Sequence, residues 1–295
     1  MNAEHKSAWI LFFTTILAAL GWVFSKESIQ GLPPFGFIGL RFIVAAFCLL
    51  PLCLGALRKA KRQDIAAAAL TGLLLCSAIL CWIYAISISD TLGEGAFILS
   101  LSMLIAPLIA WGIFREKPKR AFWTSLPIAV FGLALLSLNG GWQQSSSQWW
   151  FVISATLMAL HFVVNSRFSQ RLPVLLLTTI QLFVAGCIAS AVSLITETQP
   201  TSVTHDIWIW FGLSAILATA IRYAMFTTGL KYSTPANAAL IMLLEPVWTV
   251  LLSITWYGET ISPLKAVGCV LILFSLLVYR TNGKLLRIRR RVINP

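Results

Sequence analysis

The chain has 295 residues, 58% of them apolar and only 11% charged, with a net charge of +12 and a mean hydropathy of +0.85. Soluble domains carry about 25% charged residues, so this composition argues against an ordinary soluble enzyme or binding module and for an integral membrane protein. The basic residues sit in short loops between apolar runs, which makes membrane topology a better account of them than a nucleic-acid surface.

Ten segments are long enough to cross a ~30 Å hydrocarbon core: residues 8–25, 34–55, 65–87, 92–114, 120–139, 149–167, 173–195, 207–230, 235–256 and 263–280. The first follows Lys6 and has no small-x-small cleavage site before "SKES", so it reads as a retained helix rather than a signal peptide. It contains Trp22; the second contains Arg41, the third Trp82 and Tyr84, and the fourth Ser100, Ser102 and Pro107. In the second half, the sixth span holds His161 and Asn165, the seventh Gln181, the eighth Arg222 and the ninth the step Glu245-Pro246. Cys48, Cys53, Cys76, Cys81, Cys187 and Cys269 lie in or beside apolar runs without a C-x-x-C pair, and they read as small apolar residues, not metal ligands.

Lysine and arginine set the orientation. With the N-terminus inside, 18 of the 22 basic residues fall in cytoplasmic loops or tails, Lys26 and Lys265 fall outside, and Arg41 and Arg222 lie within spans. Both termini are therefore expected in the cytoplasm, with the tail "KLLRIRRRV" resting on anionic headgroups.

The chain also repeats itself. "LGWVFSKESIQGLPPFGFIGLRF" aligns with "LHFVVNSRFSQRLPVLLLTTIQL" at an offset of 140 residues, which sets Leu32-Pro33 on Leu172-Pro173 and Arg41 on Gln181. After a three-residue shift, residues 84–91 meet 227–234 and Glu116 of "IFRE" meets Glu259 of "WYGE". Each half holds five spans, and an odd number forces the halves into opposite orientations. An inverted repeat with a substrate site near the midplane is the architecture of many secondary transporters. The expected units are an N-terminal segment 1–7, a first repeat 8–139, an outer linker 140–148, a second repeat 149–280 and a basic tail 281–295.

Glu245 falls near mid-bilayer, where an acidic residue costs roughly 2.5–3.5 kcal/mol. Arg222 is the candidate that offsets this, because the two lie at depths that differ by only ~5 Å along their helices. His161 sits at a similar depth with Asn165 one turn on, and His161, Asn165, Arg222 and Glu245 are expected to form one polar cluster. Two readings stand beside each other: a substrate site, or an ion pair that only locks helices. A carboxylate titrating near His161 favours proton coupling, whereas a packing role makes His161 a hydrogen-bond partner between helices. Pro246 is expected to kink the ninth span and turn a freed carbonyl toward protein or a water-filled cavity. The aligned first-repeat pair is Ser102-Met103, with the kink displaced to Pro107 and no carboxylate. Arg41 and Gln181 are expected to share a structural role. Among the tryptophans, Trp9, Trp142, Trp149, Trp150, Trp208 and Trp256 fall at span ends as interfacial anchors, while Trp22, Trp82 and Trp111 lie deeper.

There is no phosphate-binding G-x-x-x-x-G-K-[ST] loop, and no H-E-x-x-H or G-x-S-x-G motif, so neither ATP hydrolysis nor intramembrane enzyme chemistry has residues to carry it. The stretches "ALGWVFSK", "PFGFIGLRFIVAA" and "ANAALIMLLEPVWTVLLSITWYGETISPLKAVGCVLIL" resemble the EamA-type transporters of the drug/metabolite transporter superfamily over roughly residues 8–280. The first-half counterpart departs from that pattern, with Met103 at a position where proline is common and "FRE" in place of Gly-Glu. The resemblance implies an all-α membrane protein of ten helices in two inverted five-helix repeats around a central cavity, walled by helices 1, 3, 4, 6, 8 and 9. Trp22, Trp82, Tyr84, Ser100, His161, Asn165, Arg222 and Glu245 fall on those helices and form the expected substrate site, with Pro107 and Pro246 as helix kinks. Glu116 and Glu259 are read as helix-end caps and loop anchors. The expected activity is export of a small amphipathic metabolite, an amino acid or related compound, across the bacterial inner membrane by alternating access, with membrane lipids as surroundings and neither cofactor nor nucleic acid. An uptake carrier or a broad drug/proton antiporter is the alternative.

Overall fold

The computed structural model describes residues 3–88, 92–137, 146–258 and 262–281. Glu259, Trp142, most of the linker and the basic tail beyond residue 281 lie outside them. Among the described residues every regular element is helical: α1 Ala3–Ser28, α2 Pro34–Lys59, α3 Arg62–Ser87, α4 Leu92–Phe114, α5 Arg120–Ser137, α6 Ser147–Ser169, α7 Val174–Thr196, α8 His205–Ala215, a π-helical stretch Ile216–Ile221, α9 Arg222–Lys231, α10 Pro235–Met242, α11 Glu245–Tyr257 and α12 Pro263–Arg280.

The π stretch joins α8 to α9 in one span, and α10 and α11 are the two halves of another. Among the described residues eight spans are then long and apolar enough to cross a membrane, and two shorter apolar helices, in α4 and α5, make ten apolar helical segments (8 + 2). Helix starts follow local chemistry. Pro34, Pro235 and Pro263 occupy first-turn positions, where no backbone donor is needed, and the Thr234 and Ser262 hydroxyls accept from the amides of Asn237 and Lys265.

The packing has the symmetry of the repeat. α2 lies along its own counterpart α7, and α5 along its counterpart α12. α3 packs on α6 as the span α8–α9 packs on α1, and α4 packs on α6 as α10–α11 packs on α1. Small residues bring α2 and α7 together: a side chain at Gly39 would meet the Ser190 backbone nitrogen at 2.6 Å, and one at Gly186 would meet the Ile43 nitrogen at 2.8 Å. Within this arrangement the Glu197 carboxylate, at the end of α7, accepts from the Phe35 and Gly36 amides at 2.9 Å each and caps α2 across the repeat boundary.

One backbone detail corrects the weight given to "FRE". Arg115, just after α4, has φ +58°, and Gly258, just after α11, has φ +66°. These are repeat mates at the shifted offset of 143 residues. The first half keeps the left-handed turn that glycine makes freely and strains an arginine to do so.

Candidate functional site

The site forms where two spans lose regular α-helical structure. In the eighth span the backbone widens to π geometry over Ile216–Ile221, with the Thr219 hydroxyl bonded to the Ser214 carbonyl at 2.8 Å, and Arg222 is the first residue after it. Gly21 admits α1 here, since a Cβ on it would stand 3.0 Å from that of Ala218. In the ninth span the helix breaks at Leu243–Leu244 and restarts at Glu245, so Pro246 lies in the first turn of α11. The break lies two to three residues before Pro246, whose ring nitrogen offers no backbone donor. Glu245 thereby gains a helix N-terminus, which favours a negative charge. Pro107, by contrast, lies within a continuous α4, so the two repeats differ here in backbone as well as in charge.

Arg222 Nη2 and Glu245 Oε2 are 3.7 Å apart, and the two side chains retain 23% and 21% of their exposure. Trp22 Nε1 of α1 donates to Glu245 Oε1 at 3.2 Å, so a first-repeat side chain completes a second-repeat ion pair. The Trp22 ring meets Trp82 of α3 edge to face, with centroids 5.6 Å apart. The Arg222 guanidinium also lies 5.0 Å from the Tyr223 ring centre, while its Nε is buried without a partner.

The other expected members have hydrogen-bond and ring partners of their own. His161 Nε2 pairs with Gln181 Oε1 of α7 at 3.2 Å, and Asn165 Nδ2 donates to Thr227 Oγ1 at 3.4 Å; all four residues are fully buried. Among the described residues neither His161 nor Asn165 is hydrogen-bonded to Arg222 or Glu245. Their contacts turn α6 toward α7 and toward α9, the helix that Arg222 opens. The Tyr84 ring meets that of Trp150 with centroids 4.9 Å apart, and Ser100 is half-buried on α4. Arg41 and Gln181 have different partners: Arg41 Nη1 donates to Ser25 Oγ of α1 at 2.9 Å and to Ser214 Oγ of α8 at 3.3 Å. The π stretch and the hydroxyls Ser25 and Ser214 were not singled out from the sequence; their one visible trace is the small-residue run "LSAILATA" before Arg222.

At the two ends of the molecule, repeat mates meet as clasps. At one end, beside a shallow recess that includes Val163 and Pro235, Arg167 Nη1 of α6 lies 3.7 Å from Glu116 Oε1 and its guanidinium 5.3 Å from the Phe114 ring centre. At the opposite end, Glu27 Oε1 of α1 accepts from the Tyr257 hydroxyl at 2.9 Å, and Lys26 Nζ lies 3.9 Å from the Tyr257 ring centre. Glu27 is the mate of Arg167 and Tyr257 the mate of Phe114, at the two offsets of the repeat. Glu116 pairs with Arg167 here, and its mate Glu259 lies outside the described residues.

The profile of the EamA-like transporter family matches residues 5–138 and again 145–281. The chain is 24% identical over 291 residues to the Escherichia coli K12 protein "Uncharacterized inner membrane transporter YedA", covering 97% of this chain and 94% of that one. It is 22% identical over 253 residues to an "Uncharacterized transporter" of Archaeoglobus fulgidus (86% and 79% covered), and 26% identical over 183 residues to "Uncharacterized transporter YwfM" of Bacillus subtilis (59% and 60% covered). A crystal structure superposes with a TM-score of 0.80 at 18% identity, covering 95% of this chain and 99% of that one, a likeness of fold.

Proposed function

The chain belongs to the EamA-like transporter family, and from that premise we propose that it exports a small amphipathic metabolite bearing a carboxylate, an amino acid or related compound, across the bacterial inner membrane. The observation that carries the reading is the Arg222–Glu245 pair, set at breaks in two helices and touched by Trp22 from the other repeat. Purely structural ion pairs gain from tight, fully satisfied geometry. This one is 3.7 Å long, incompletely buried, and leaves Arg222 Nε without a partner.

In this reading a substrate carboxylate takes Arg222 and displaces Glu245, which meets the substrate amine or, in the empty carrier, neutralises Arg222. Trp22 and Trp82 face the apolar body. His161, bonded to Gln181, and Asn165, bonded to Thr227, hold α6 against α7 and α9. The functional units are the repeats 8–139 and 149–280, joined by residues 140–148, with the segment 1–7 and the basic tail 281–295 on the cytoplasmic side. Alternating access then consists in opening one clasp while the other holds, Arg167–Glu116 inside and Glu27–Tyr257 outside. The printed name of the Escherichia coli relative supports the inner-membrane placement.

The test is exchange in proteoliposomes loaded with a panel of unlabelled amino acids and supplied with labelled ones. Saturable counterflow of one compound, lost in Arg222→Ala, is the expected result. Counterflow undiminished in that variant overturns the site.

A further inference from the structure

More than one turn from the ends of the spans lie three charged side chains, Arg41, Arg222 and Glu245, which leaves a surplus of one positive charge there (2 − 1). Arg222 and Glu245 answer each other; Arg41 has no carboxylate within ion-pair distance among the described residues. Glu197, the acid at the start of α2, accepts from the Phe35 and Gly36 amides.

The groups that Arg41 touches are neutral. Ser25 gives its proton to the Gly21 carbonyl at 2.6 Å and its oxygen to Arg41 Nη1, which it shares with Ser214. The Phe37 and Phe42 rings lie 5.0 and 5.2 Å from the guanidinium carbon, and Nε is buried without a partner. Hydroxyl dipoles and ring faces offset a full charge in an apolar setting only in part. The repeat sharpens the point. Gln181 occupies the equivalent position, buried, and holds α7 to α6 through His161 with no charge at all. Helix packing at this position therefore needs a polar side chain and not a cation. Ser25, which orients Arg41, lies three residues beyond Trp22 on α1 and so on the same face as the indole that touches Glu245.

We propose that Arg41 is a second anion-binding group of the substrate site, so that the transported compound is a net organic anion whose surplus negative charge Arg41 receives. This rests on the reading of the Arg222–Glu245 centre as the substrate site and adds to it the net charge of the ligand. A zwitterion satisfies Arg222 and Glu245 but leaves Arg41 unanswered; a ligand with one more negative charge answers all three.

The experiment is calorimetric titration of the purified chain in nanodiscs with three probes that share a phenyl body: 4-carboxyphenylalanine (an amine and two carboxylates, net anion), phenylalanine (zwitterion) and phenethylamine (cation). The expected order is anion tightest and cation weakest. Arg41→Gln, which copies the repeat mate, is expected to weaken the anion about tenfold or more and the zwitterion about twofold or less, as for loss of one charge-assisted contact. Arg41→Lys, which keeps the charge, retains the order and guards against a glutamine variant that fails to fold. Tightest binding of the zwitterion or the cation by the native chain, or an unchanged anion affinity in a folded Arg41→Gln, overturns the assignment while leaving the central site intact. No binding of any probe overturns both.

Discussion

Replacing Glu245 by glutamine keeps the shape of the site and removes one charge. The amide oxygen still accepts from Trp22, whose donor lies 3.2 Å from Oε1, so the first-repeat contact survives. What is lost is the attraction to Arg222 across 3.7 Å. At an effective dielectric near 20 that attraction is about 4 kcal/mol before desolvation is counted. With both side chains still about a fifth exposed, a net value of about 1–2 kcal/mol is reasonable once solvent screening is allowed for. If substrate carboxylate and Glu245 compete for Arg222, that amount is returned to the substrate, and KM falls about tenfold. The empty carrier must then reorient with an unanswered Arg222, at a cost of about 2.5–3.5 kcal/mol on insertion scales, so maximal transport falls by about two orders of magnitude. Initial rates in proteoliposomes, with the compound that counterflow identifies, separate the two parameters. Full transport with unchanged KM and unchanged pH dependence refutes the competition. A drop in thermal unfolding midpoint with both parameters intact assigns the pair to helix locking.

Three further outcomes follow from the geometry. Arg115→Gly relieves a left-handed arginine at φ +58°, and the unfolding midpoint in detergent should rise by the equivalent of about 0.5–1 kcal/mol; a fall contradicts the repeat-mate reading of Gly258. Glu116→Lys should slow transport several-fold with little change in midpoint, because an exposed pair contributes only about 0–1 kcal/mol to stability. The exchange Glu116→Lys with Arg167→Glu should restore the rate, and failure to do so removes the pair from the gate. His161→Leu alone strands buried Gln181 and should cost about 1–3 kcal/mol, whereas His161→Leu with Gln181→Leu should recover most of it; transport that loses its gradient dependence in the stable double variant would return His161 to proton coupling.

Much of this architecture is legible without coordinates because membrane insertion leaves few alternatives. Apolar length sets the spans, and the offsets 140 and 143 expose the repeat that reappears in the paired packing of α2 with α7 and α5 with α12. Glu245 and Arg222 could be matched by depth alone, since rise per residue is fixed. Depth leaves azimuth undetermined, however, and His161 and Asn165 shared the depth of that pair without being bonded to it. The π stretch before Arg222 had no signature stronger than a run of small residues, because hydrogen-bond slippage depends on what α1 presses against it at Gly21. Arg41 and Gln181 share a place in the repeat but not their partners, since Ser25 and Ser214 on α1 and α8 accept from Arg41. "FRE" looked like a lost motif until Arg115 was found in the conformation of Gly258.

The most direct measurement is uptake into inside-out vesicles from cells making the native chain or Arg222→Ala, given labelled amino acids and an imposed proton gradient. Accumulation of one compound by the native vesicles and its absence in the variant is the expected result, and collapse with a protonophore would add proton coupling to it. Equal accumulation in both vesicle populations would contradict a substrate site built on Arg222.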